Sequence, residues 1–113
     1  MWRDDAYLLD MLIAAKSASE FTSGIEWDEF ENSKLHYHAV VNTLGIIGEC
    51  ARKISKEFKN THPEIKWDEI IELRNKLIHE YFRIEPSLVW NFVQTSIPNL
   101  IEQVEGLVPP EEK

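Results

Sequence analysis

Arg74, His79 and Tyr81 stand in the stretch Leu73-Arg-Asn-Lys-Leu-Ile-His-Glu-Tyr-Phe82, an arginine, four residues, a histidine, one residue and a tyrosine. The pattern sets a permanent cation near a group that titrates close to neutrality. Those are the two things needed to break an RNA phosphodiester without a metal: a base for the 2'-hydroxyl and a positive fork for the charge that grows on phosphorus. The spacing alone carries little weight, because a chain with four arginines and four histidines produces it readily by chance. Each residue also has a plainer role open to it. Arg74 could make a surface salt bridge, His79 could cap a helix or sit at an interface, and Tyr81 could pack with its hydroxyl at the surface.

The elements that must position these groups are helices, since the apolar period is helical throughout and no segment alternates as a strand does. The first helix is expected from about Asp4, as cap, through Tyr7, Leu8, Met11, Leu12, Ala15 and Ala18, stopping before Thr22-Ser-Gly24. A single helical turn follows over Ile25 to Asn32, and its Trp27 and Phe30, three apart, suggest that it plugs an end of the core. The second and longest helix begins near Ser33 and runs through Val40, Leu44, Ile47, Ala51, Ile54 and Phe58, ending before Thr61-His-Pro63. Gly45 and Gly48 inside it each cost up to about 1 kcal/mol in helix propensity relative to alanine, which points to close approach of another helix. The third helix starts around Trp67 and holds Ile70, Arg74, Leu77, Ile78 and Tyr81. The fourth is announced by Glu85-Pro86-Ser87 and continues to Leu107, with Pro98 kinking or restarting it. Trp67 and Trp90 read as core. The expected fold is all-α, an up-and-down bundle of four main helices plus one short helix, in one domain over residues 1–107 with a frayed tail at 108–113.

Helical geometry tests the motif. At 100° per residue Arg74 and Tyr81 lie about 20° apart on one stripe, while His79 lies about 140° from Arg74 and about 7.5 Å along the axis. Either the helix loosens near His79, or the site is composite and a second copy supplies the missing groups across a two-fold axis. The symmetric dimer is the preferred reading.

Composition narrows the function classes. A chain of 113 residues with 43% hydrophobic residues and only four glycines forms one small globular core, not a disordered segment. The net charge of -8 argues against nucleic-acid binding until its distribution is considered. Residues 52–83 hold eight basic and six acidic side chains, so this third carries +2 and the remainder -10. An anion groove belongs there, although a charged helix face that merely meets solvent would look the same. The only cysteine, Cys50, sits in an apolar run and reads as a buried, reduced thiol, which with no signal peptide or membrane span points to the cytoplasm. His36 and His38 point about 200° apart on a helix, and no paired-ligand spacing exists, so neither a metal nor another cofactor is expected.

Five segments carry a more specific signal. Ala39-Val-Val-Asn-Thr-Leu-Gly-Ile-Ile-Gly-Glu49, His62-Pro-Glu-Ile-Lys-Trp67, Leu73 to Phe82, Leu88-Val-Trp90 and Ile97-Pro98 resemble, in that order, the HepT-like branch of the HEPN domains. The resemblance covers nearly the whole chain. It implies a dimerising helical bundle, a metal-independent endoribonuclease acting on RNA such as tRNA or mRNA, and the toxin role in a toxin-antitoxin pair. Its antitoxin would be a minimal nucleotidyltransferase. By the same resemblance Arg74 and His79 are catalytic, Asn75 occupies the polar position after the arginine, and Tyr81 is where the antitoxin attaches AMP. The chain departs from the family where Asn42-Thr-Leu-Gly45 replaces a frequent Arg-Asn-Leu-Glu, losing a cation and an acid, and where Glu80 stands at a frequently small position. The rival reading is a non-catalytic subunit that binds nucleotide or presents substrate to a nucleotidyltransferase.

Overall fold

The computed structural model describes residues 2–109, and these form an all-helical bundle. Helix α1 spans Trp2–Thr22, α2 Trp27–Glu31, α3 Lys34–Lys53, α4 Lys56–Thr61 and α5 Trp67–His79. A 3-10 turn at Tyr81–Arg83 leads to α6, Pro86–Asn91, then a π turn at Phe92–Ser96 and α7, Ile97–Glu105. Helix α3 is central: α1 packs on one side of it and α5 on the other, while α7 closes over α1. The core is a continuous cluster in which Leu8, Met11 and Ala15 of α1 meet Val40, Leu44, Ile47 and Ala51 of α3 and Val93, Ile97 and Val104 beyond. Phe30 of α2 is fully buried and lies 5.1 Å from the Trp90 ring, so the short helix plugs one end of the core as its aromatic pair suggested.

Gly24, in the turn after α1, has φ of +79°, a conformation that a side chain would strain. Ser33 caps α3, its hydroxyl accepting from the His36 amide at 3.2 Å.

Five expectations change. Asp4 does not cap α1, which begins before it; the carboxylate is buried and accepts from the Ser55 amide (2.9 Å) and hydroxyl (2.7 Å). That contact, from 51 residues away, accounts for the second change. The long second helix is not continuous to Phe58 but stops at Ile54, and Ser55 starts α4 by accepting from the Phe58 amide. Third, α5 ends at His79, so Tyr81 lies outside it in the 3-10 turn. Fourth, the last rod is three pieces. Pro98 has no N–H to give to the preceding turn and its ring would strike a carbonyl there, and the π turn just upstream widens the helix to accommodate both. Val108, assigned to the tail, is buried in the core with its amide bonded to Val104 O at 3.1 Å, while residues 110–113 of that tail lie outside the described residues. No helix among the described residues is long and apolar enough to cross a membrane.

Candidate active site

Helices α3 and α5 run antiparallel and enclose an open groove of about 610 Å³ lined by Val41, Gly45, Ile46 and Glu49 on one side and Arg74, Leu77 and Ile78 on the other. Tyr81 closes one end. Gly48 determines how near the helices come. A Cβ there would sit 2.2 Å from Arg74 Cβ and 2.7 Å from its Cγ, so the arginine stem lies directly on the α3 backbone. Gly45 does not share this role, since a Cβ there would meet nothing within 4 Å.

With its stem pinned, Arg74 has little freedom and its side chain is 22% exposed. Nη2 pairs with Glu49 Oε1 at 2.9 Å, and Nη1 donates to Asn75 Oδ1 at 3.0 Å. Glu49 is shared. Arg52 grips the same carboxylate through Nε (3.2 Å) and Nη2 (2.8 Å), and Lys53 Nζ stands 3.6 Å away. The Arg52 hydrogen bonds, aided by the nearby Arg74 and Lys53 charges, hold the Glu49 pKa down to about 2. Its bonds to Glu49 in turn raise the Arg52 pKa. Cys50, beside the groove, is a free and buried thiol whose pKa burial pushes up to about 11, so it is protonated and inert at neutral pH.

At the other end the Tyr81 phenol is hydrogen-bonded to His38 Nδ1 of α3, and its ring stacks on Phe82 at 5.1 Å. Phe82 itself is 97% exposed. Tyr37 packs edge-on against His38, and burial, with Tyr81 nearby, raises its pKa.

His79 is the last residue of α5, exposed and without a hydrogen bond or ion pair among the described residues. Because α5 is an uninterrupted α-helix across both positions, the histidine projects about 140° around the axis from Arg74. One chain therefore brings Arg74 and Tyr81 to the groove, keeps Asn75 outside its lining but bonded to the guanidinium, and leaves His79 off it. Glu80 is exposed and ends the helix through its backbone amide on Lys76 O at 2.8 Å. No group of three or more His, Cys, Asp or Glu that could hold a metal ion occurs among the described residues.

A sequence model of the family described as Ribonuclease HepT-like matches residues 11–107. The chain belongs to the HepT-like ribonucleases. It is 41% identical over 100 residues to a Methanocaldococcus jannaschii protein named "Putative RNase MJ1380", covering 88% of this chain and 92% of that one. It is 40% identical over 101 residues to "Probable ribonuclease HepT" of Thermococcus cleftensis, covering 89% and 92%. With "Putative RNase TTE0752" of Caldanaerobacter subterraneus it shares 34% over 105 residues, covering 93% and 94%. No solved structure matches the chain.

Two residues at this HepT-like groove escape the motif: Glu49, which holds the arginine, and His38, which holds the tyrosine. A signal for both existed. His38, Val41, Gly45 and Glu49 recur at helical spacing, and His38 and Glu49 fall about 20° apart on α3. That stripe faces the Arg74, Leu77, Ile78 stripe of α5, and the antiparallel register sets His38 against Tyr81 and Glu49 against Arg74.

Proposed function

We propose that the protein is a metal-independent endoribonuclease whose active site is built by two copies of the chain, and that it is the toxin of a toxin-antitoxin pair. The observation that carries this reading is the arrangement along α5, which fixes Arg74 on the floor of the groove yet turns His79 away from it. A second α5 related by a two-fold axis supplies what one chain lacks. Exposed Ile46 and Ile78 beside the groove offer apolar surface for that contact.

In the composite site His79 of one protomer takes the 2'-hydroxyl proton as the 2'-oxygen attacks phosphorus. Arg74 stabilises the charge on the phosphorane, and His79 of the other protomer protonates the departing 5'-oxygen. The upstream product ends in a 2',3'-cyclic phosphate. Glu49 keeps the guanidinium oriented until the phosphate arrives, and Asn75 supports its other edge. Regulation falls to Tyr81: an AMP group placed on its phenol by a minimal nucleotidyltransferase antitoxin adds negative charge and bulk at the groove end and repels the RNA backbone. Arg74, once freed by phosphate, needs no metal or other cofactor beside it, and the site of action is the cytoplasm.

Purified protein is expected to degrade bulk transfer RNA in EDTA, with His79→Ala slower by about 10²–10⁴ and Arg74→Ala by about 10²–10³. An intact RNA preparation would favour a non-catalytic subunit that presents nucleotide or substrate to its transferase. Mass spectrometry after co-expression with a cognate nucleotidyltransferase is expected to find AMP on Tyr81, and none there would remove that part of the reading.

A further inference from the structure

Beyond Glu49, away from the Arg74 groove, the end of α3, one face of α4, the loop after it and the start of α5 enclose a second cleft of about 750 Å³. Arg52, Lys56, Lys59 and Lys66 line it, against the acids Asp68 and Glu69. This excess of cations stands in a chain of net charge -8. The Lys56 and Lys66 ammonium groups have no hydrogen bond or ion pair among the described residues. Lys59 reaches the Arg52 carbonyl at 3.4 Å, and burial lowers its pKa. An anion in the cleft would repay that loss of hydration.

The cleft is held in shape. Asp4 fixes the Ile54–Ser55 break that swings α4 away from the axis of α3, and Trp67 Nε1 donates to His62 O at 2.9 Å to pin the loop between α4 and α5. Helix α4 has no fully buried residue and rests on the core through the half-buried Phe58, which leaves Lys56 and Lys59 on the cleft side. Arg52 joins the cleft to the groove, because it grips the same Glu49 carboxylate that Arg74 holds.

We propose that this cleft is a binding track for the phosphate backbone of single-stranded RNA flanking the scissile linkage, continuous with the Arg74 groove through Arg52. The inference rests on the ribonuclease reading. An RNA strand is favoured over an acidic protein by that continuity with the Arg74 groove.

The test is fluorescence anisotropy with a short 2'-O-methyl oligoribonucleotide, which cannot be cleaved, titrated across about 50 to 200 mM salt. Wild type is compared with a Lys56→Ala, Lys59→Ala, Lys66→Ala variant and with a charge-matched Lys16→Ala, Lys34→Ala, Lys76→Ala control. Each phosphate contact contributes about 0.7 to the slope of log affinity against log salt, so losing three flattens it by about 2. Over that salt range wild type should weaken about 20-fold more than the cleft variant. The control should keep the wild-type slope. Equal flattening in both variants, or none in the cleft variant while wild type binds, overturns the track and leaves the nuclease reading standing. Loss of binding in Arg74→Ala, with the cleft variant binding as wild type does, would have the same meaning. A wild type that ignores the oligonucleotide but binds oligoglutamate through the three lysines overturns the track in favour of an acidic partner, and failure to bind either probe overturns both readings.

Discussion

Replacing Gly48 with alanine tests the contact on which the groove depends. The new Cβ would lie 2.2 Å from Arg74 Cβ, where ordinary carbon contacts are about 3.5–4.0 Å, so α3 and α5 must part by roughly 1.3 Å or more. Rotating the arginine cannot relieve this, because the opposing atom is attached to the α5 backbone. Overpacking of this kind costs about 1–3 kcal/mol, partly offset by the roughly 0.5–1 kcal/mol by which alanine favours a helix over glycine. Because the overlap is with an atom that cannot swing away, the cost falls in the upper half of that range, and Gly48→Ala should lose about 1–2.5 kcal/mol and several degrees of Tm, read by thermal or urea unfolding. The shift of Arg74 by about 1 Å should also cut RNA cleavage, by up to about 100-fold. Gly45→Ala, one turn earlier with nothing within 4 Å, should gain up to about 1 kcal/mol when measured at dilutions where protomers are apart. A Gly48→Ala protein as stable as wild type or more so would refute the close approach and the account of how Arg74 is held.

The remaining predictions concern charge and the break before α4. Glu49 has a folded pKa of about 2 against an ordinary 4.5, so its stabilisation is complete above about 4.5 and is lost as pH falls toward 2. The stability gap between wild type and Glu49→Gln should close over that window in acid unfolding; a gap independent of pH would contradict the carboxylate's role. Asp4→Ala removes a buried acceptor and leaves the Ser55 amide without its partner, which should cost about 2–4 kcal/mol, and a near-neutral result would mean the break at Ile54–Ser55 has another cause. Cys50 should resist thiol reagents at neutral pH until the protein unfolds, as measured by labelling against denaturant; rapid labelling of the folded protein would contradict its burial.

The features legible in the sequence are those written in local periodicity. The helical stripes gave the bundle, Trp27 and Phe30 marked the plug, and the order of motif segments pointed to the family that the comparison confirms. What stayed hidden depends on tertiary contacts. Nothing near Ser55 breaks the helix by itself, and the carboxylate that does so arrives from α1. No proline or glycine separates His79 from Tyr81, so the end of α5 could not be placed between them. Pro98 announced a disturbance but not its form, since a kink and a π turn both answer a missing donor. The Glu49 to Arg74 pair required the antiparallel register of α3 on α5, for which the glycine pair was a partial clue: Gly48 meets the arginine and Gly45 meets open space.

The claim that two protomers complete one site is tested most directly by measuring RNA cleavage per chain across a dilution series while sedimentation follows assembly. The account predicts that activity falls in step with the fraction of dimer and vanishes in the monomer. Full activity per chain from a solution containing only monomer would contradict it.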